Sequence, residues 1–217
     1  MRLTGFLTAA AALWIAGCGV TQPVRVLDDG KTAVMASFGG PVIPAAGIAF
    51  PVPYLNAGIA SAVTPGITAT ANLHITALLF NDIGLDAGAA ARLARENGVV
   101  PEVTLKLQGM YFTTLNPISS SVFLAHSSIN ASYLLGASTL VYAGTEHTVQ
   151  FSPVDYFFTP FIGMQFPLGS VIDAQVETKW LAANHFTGHG AFEGAGSVNY
   201  HGNVGLYFGL LYYLGGR

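Results

Sequence analysis

The sequence predicts an all-β chain, an up-and-down antiparallel transmembrane barrel of eight (or ten) strands, the even numbers that single-chain bacterial barrels use. Three observations lead there. Charge is scarce, for 52% of the 217 residues are hydrophobic and only 9% are Asp, Glu, Lys or Arg, against about 25% charged in an ordinary soluble domain. Apolar residues recur with a period of two over stretches longer than the usual strand of about five or six residues. Turn-forming Gly, Pro, Asn and Asp punctuate those stretches. So little charge does not cover a soluble surface, and so much hydrophobicity does not belong to a disordered chain. A bilayer is the simplest apolar surrounding for what remains. The 26 glycines show no triplet period, which excludes collagen, and a net charge of −3 offers nucleic acid no basic patch.

At the N-terminus, Met1-Arg2 is followed by an uncharged apolar run from Leu3 to Trp14. That run is too short for a membrane-spanning helix, which needs about 20 apolar residues, and suits the core of a signal peptide. Ile15-Ala16-Gly17-Cys18 then closes the segment with an aliphatic residue, two small residues and the only cysteine. This tetrapeptide resembles the lipobox of bacterial lipoproteins. The resemblance implies Sec export, cleavage before Cys18 and lipidation of Cys18, and Gly19 in place of aspartate implies the outer membrane of a Gram-negative cell. Two or more acyl chains make a stable anchor where one is marginal. A single cysteine forms no disulfide within the chain, and acylation gives it a use. The expected organisation is a lipoprotein signal peptide at 1–17, a lipidated polar tether at 18–31 ending in the Asp28-Asp29-Gly30 turn, and a barrel domain at 32–217.

Between Lys31 and Asp82 there is no Lys, Arg, Asp or Glu. Gly39-Gly40-Pro41, Pro44, Pro51 and Pro53 break any helix in its first half. In the second half Ile67, Ala69, Ala71, Leu73, Ile75, Ala77 and Leu79 alternate with Thr68, Thr70, Asn72, His74 and Thr76, and spanning a bilayer takes about 9 to 11 tilted strand residues. The alternation continues through Ile83–Leu93, Val103–Tyr111, Ile172–Trp180 and Val204–Tyr213. Nine candidate strands result: 33–40, 54–63, 67–80, 83–95, 101–113, 131–143, 156–166, 170–181 and 203–214. Because barrels take even numbers, either the first lies outside the barrel or a tenth strand falls in 148–152 or 189–200. Residues 41–53, 114–130 and 182–202 read as longer connections. Asp86–Asn97 would pass as a capped helix on propensity, but alternation running through it makes it a strand. Residues 118–143 hold too much Ser and Asn for a lipid-facing helix. Tyr54, Phe80, Tyr111, Phe112, Tyr156, Phe157, Phe166, Trp180, Tyr212 and Tyr213 gather near strand ends, as interfacial girdles do. Over roughly residues 32–215 the pattern broadly resembles the outer-membrane β-barrel class.

Alternation also assigns a lumen face, with Asn72, His74, Asp86, Arg92, Glu102, Lys106, Gln108, Asp173, Glu177 and Lys179 pointing inward. Both signs of charge are present, so the set reads as a self-neutralising network that fills a small barrel, with a narrow polar channel or ligand cavity as the alternative. A general porin, which takes 16 to 18 strands, is not expected. No catalytic, metal or cofactor motif stands above background. His126-Ser127-Ser128 resembles the Ser-His arrangement of the lipid A deacylases, small outer-membrane barrels. It implies Ser128 as nucleophile and His126 as base, with Glu146 or Glu177 as candidate third member. His185, His189 and His201 lie among glycines and read as loop histidines rather than metal ligands, and Gly188-His189-Gly190 lacks the setting of a dinucleotide loop. The functional expectation is an outer-membrane lipoprotein with a structural or surface-interaction role, partnered by membrane lipid through its acyl anchor and its strands. Ligand or lipid passage through the lumen, a membrane lipid hydrolase and a lipid-anchored soluble β-sandwich are the alternatives.

Overall fold

The computed structural model describes residues 22–45, 48–115, 121–186 and 197–216. In chain order the elements are β1 (Thr32–Ala45), β2 (Ile48–Pro51), β3 (Tyr54–Thr64), β4 (Ile67–His74), the short helix α1 (Ile75–Leu79), β5 (Asp82–Ala94) and β6 (Glu102–Thr114). Then come β7 (Ser121–Leu135), β8 (Thr139–Phe151), β9 (Val154–Pro167), β10 (Ile172–Phe186) and β11 (His201–Leu214). Each long strand pairs antiparallel with the next, and β11 returns to β1 in a register running from Thr32↔Leu214 to Pro41↔Gly205. The result is a closed barrel of ten strands, with β2 a short arm paired to the far end of β1. Closure leaves the wall no free edge to pair with another chain.

The wall is inside-out relative to a soluble protein. Val34, Leu55, Ile59, Leu85, Leu107, Ile129, Ile162, Phe208 and Leu210 are exposed, whereas Asn72, Asp86, Thr104, Gln108, Gln175 and Lys179 are buried. Strand geometry alternates successive side chains between faces, and every charged side chain within the ten barrel strands has the inward parity. An apolar outer face with a polar lumen overturns the soluble β-sandwich, whose outward faces would be polar. Both ends of the barrel strand series, Thr32 and Leu214, lie at one rim, together with the turns at 65–66, 95–101, 136–138 and 168–171. This rim is the short-turn end. The opposite, loop end carries β2 with residues 52–53, α1, Leu115, the turn at 152–153 and residues 197–200.

Several boundaries differ from the sequence reading. The candidate at 131–143 is two strands, the ends of β7 and β8, joined by a turn at 136–138 where Gly136 takes φ +64. Apolar residues on both sides hide that turn, and glycine holds such a φ at no steric cost. The connection expected at 114–130 is strand from Ser121 onward. Its inward residues His126, Ser128 and Asn130 oppose outward Ala125 and Ser127, so hydropathy barely alternates. The tenth strand is thus β8, and the first segment belongs to the barrel as β1. The strand expected at 67–80 stops at His74 and turns into α1. Leu78, Leu79 and Phe80 break the alternation, and Asn81 takes φ +63 to re-enter β5. Asp82–Ala94 is strand, as alternation predicts. Among the expected girdle aromatics, Tyr54, Phe112, Phe157 and Tyr213 turn inward, while Tyr111, Tyr156 and Tyr212 are exposed.

Candidate functional site: the barrel lumen

Ten strands enclose a wider space than the eight whose side chains just fill their interior. Here the chain supplies the missing volume itself. Gln22–Leu27, within the segment expected as a lipidated polar tether, is a buried strap across the lumen near the short-turn end. It joins no strand ladder. Instead, side chains of the wall bind its main chain. Gln175 Nε2 donates to Gln22 O (2.8 Å) and Asn130 Nδ2 to Val24 O (3.1 Å). The amides of Val24 and Leu27 donate to Gln165 Oε1 (3.4 Å) and Thr68 Oγ1 (2.7 Å). Val24 packs with Tyr142 and Phe161, and Leu27 with Ala33, Met35, Ala60 and Leu211. The reason is physical: a polar tether with two apolar anchors gains more from an occupied lumen than from water.

Arg25 ties the strap to the opposite wall. Its guanidinium donates to Ser132 Oγ (2.9 Å) and to the Ser132 carbonyl (3.2 Å), and it pairs with Glu96 in the β5–β6 turn. Glu102 stands 3.9 Å from Arg25 and 3.3 Å from Arg92. The hydrogen bond from Arg25 holds the Glu96 carboxyl below the usual carboxylate range. Above the strap, Lys179 is wholly enclosed between Glu146 and Glu177 (3.0 Å to Glu177), with its ammonium over the rings of Tyr207 (5.2 Å) and Phe161 (5.6 Å). A third network lies toward the loop end. Asp86 accepts from Asn72 Nδ2 (2.7 Å) and Gln108 Nε2 (2.9 Å) on one oxygen and meets His74 Nε2 (3.0 Å) on the other. A carboxylate only accepts, so Nε2 carries a proton. The other nitrogen, Nδ1, meets the Tyr54 hydroxyl at 2.5 Å, and Phe112 packs on the ring.

The ten residues assigned inward by alternation therefore fall into separate clusters. Asn72, His74, Asp86 and Gln108 form the loop-end network, Arg92 and Glu102 join the Arg25 clamp, and Glu177 and Lys179 form the central trio. Asp173 accepts from Gln165 Nε2 and Tyr213 Oη, both at 2.8 Å. Lys106 faces the interior with Ala90 and Ser128 as its cross-strand neighbours. Glu146, Gln165 and Gln175 were legible in principle from strand parity. Arg25 carried no local signal at all. Cys18 and His189 lie outside the described residues.

The deacylase-like pair lies on a strand, β7, and its parity places it. His126 and Ser128 occupy even positions of β7 and point into the lumen, away from the surface where a lipid ester would lie. His126 Nδ1 is hydrogen-bonded to Thr148 Oγ1 (2.9 Å), Ser128 is buried, and both candidate acids are held by Lys179. His185 contacts Asp155 (3.3 Å) at the loop end, and the His201 carbonyl accepts from Trp180 Nε1 (3.0 Å). Among the described residues, no three His, Cys, Asp or Glu side chains converge as a metal requires.

Comparison with solved structures agrees with this geometry. The translocator domain of autotransporter NalP from Neisseria meningitidis aligns over 96% of this chain and 97% of its own, with a TM-score of 0.51 and 10% identity. An outer membrane channel from Pseudomonas putida F1 aligns over 90% of this chain and 100% of its own, again with a TM-score of 0.51 and 10% identity. The fold is that of the outer-membrane β-barrels. No family model and no curated protein matches the sequence.

Proposed function

We propose that this protein is an outer-membrane barrel lipoprotein, exported with a signal peptide, anchored through Cys18, and structural or surface-interacting rather than conductive. The observation that carries the reading is the filled lumen: a strap of the chain's own residues lies across it, with self-paired charges above. The exposed Leu, Ile, Val and Phe of the wall support a bilayer location, and the two outer-membrane barrels of like fold agree with it. The Ile15-Ala16-Gly17-Cys18 motif supports the anchor. The barrel then holds its loop end at the cell surface, where a partner is met, while strands and acyl chains fix it doubly. Planar-bilayer recording of the detergent-purified protein is the test, with membrane fractionation and intact mass alongside. Silent bilayers, an outer-membrane fraction and an acyl mass lost on Cys18→Ala are expected. Steady conductance from the wild type would replace this reading with lumen transport, and an unmodified Cys18 would remove the anchor.

A further inference from the structure

The strap is bound as a ligand is bound. The barrel closes through β11 and β1, and the strap takes no part in that ladder. All four hydrogen bonds named between its main chain and the wall are made with wall side chains, two donating and two accepting, a mode that reads peptide backbone and is indifferent to most side chains. Three further contacts supply selectivity. Val24 meets Tyr142 and Phe161 on one side, Leu27 meets Met35 and Leu211 on the other, and Arg25 between them reaches Ser132, Glu96 and Glu102. Buried acceptors remain beside the strap without partners, Asn130 Oδ1 and Gln175 Oε1, on the same two side chains whose amide nitrogens hold it. These acceptors suit the N–H groups of a peptide chain. Each side chain that binds the strap belongs to the wall or to a turn of the rim, so the site persists when the strap leaves.

We propose that the short-turn mouth of this barrel is a binding site for a peptide segment carrying an arginine between apolar residues, with Gln22–Leu27 as its resident occupant in cis. A peptide of the same pattern supplied in trans takes the same place once the strap is displaced. Tethering gives the resident segment an effective concentration in the millimolar range, so it masks the site from weaker competitors.

The test uses the full chain in detergent micelles and a fluorescent peptide of residues 22–27 as probe, read by anisotropy. In a Val24→Asp/Arg25→Glu variant the strap loses an apolar anchor and its clamp. That variant is expected to bind the probe at least about tenfold more tightly than the wild type, the scale of one charge-assisted hydrogen bond. The same peptide carrying Arg25→Glu should bind the variant about tenfold more weakly than the probe. A second variant, Glu96→Gln in the rim turn, keeps an acceptor for the Leu134 amide while removing the charge that pairs with arginine. Added to the strap-weakened chain, it should weaken the probe and narrow its advantage over the Arg25→Glu peptide. Equal binding of the two peptides, or no binding to a strap-weakened chain whose gel mobility still shifts on heating, would overturn the proposal.

Discussion

Replacing Lys179 with methionine keeps most of the side-chain volume and removes one charge from the centre of the barrel. The Lys179 side chain is 0% exposed, and its partners Glu146 and Glu177 are 12% and 7% exposed. An exposed ion pair is worth under about 1 kcal/mol, but removing one partner of a buried pair costs about 3–5 kcal/mol because a charge is left without solvent or counter-ion. Burial decides which figure applies, and here it is the larger. The assay is urea unfolding of the protein refolded into lipid vesicles, followed by the fluorescence of Trp180, the neighbour of Lys179 in β10. With a slope of about 1–3 kcal/mol per molar urea, the midpoint should fall by at least about 1 M. A Lys179→Met/Glu146→Gln/Glu177→Gln chain, which leaves no charge in the trio, should recover at least half of that fall. A single variant within about 0.3 M of the wild type would refute the argument. So would a triple variant no better than the single, since the loss would then lie in packing and not in charge.

Other expectations follow from the same geometry. Because Glu96 titrates below its ordinary value when folded, the Arg25–Glu96 bond contributes fully above the ordinary carboxylate range and is lost as pH falls through the lowered value. Strap protection, read by hydrogen exchange at Val24 and Leu27, should therefore weaken on acidification, and Glu96→Gln should remove that part of the pH dependence. Ile162, 64% exposed near the middle of β9, should tolerate arginine only outside a bilayer. In vesicles Ile162→Arg is expected to cost about 2–4 kcal/mol by the same urea assay, and a neutral result would argue against a lipid-facing wall. A Cβ on Gly144 would lie 2.3 Å from the Ile129 carbonyl and 2.6 Å from the Phe161 ring. Gly144→Val should thus destabilise the barrel by about 1–3 kcal/mol, seen as a lower temperature for loss of the heat-sensitive gel shift.

The fold class was open to reading in the primary structure because a strand declares its two faces between residues i and i+2. In β4, β6 and β10, where one face is apolar and the other polar, boundaries were legible to within a few residues apart from the turn into α1 and the far end of β10, where Ala182 takes φ +49 and the strand runs on to Phe186. In β7 both faces mix small and polar side chains, as at Ala125, His126, Ser127 and Ser128, and alternation faded with them. The same parity that placed Asn72, Asp86, Glu102 and Lys179 inward would have removed His126 and Ser128 from the lipid surface, had β7 been recognised as a strand.

What the chain's own order determined, then, is the period, the two faces and the presence of both charge signs in the lumen, all properties of near neighbours. Only the tertiary structure decided how the barrel closes and what fills it. Val24 reaches Gln165 across 141 positions, and Arg25 reaches Ser132 across 107. Such contacts exist because β11 meets β1 and brings distant strands around one space. A ten-strand circumference leaves room that side chains alone do not occupy, and a segment that reads as a tether in sequence has the apolar and charged groups to occupy it.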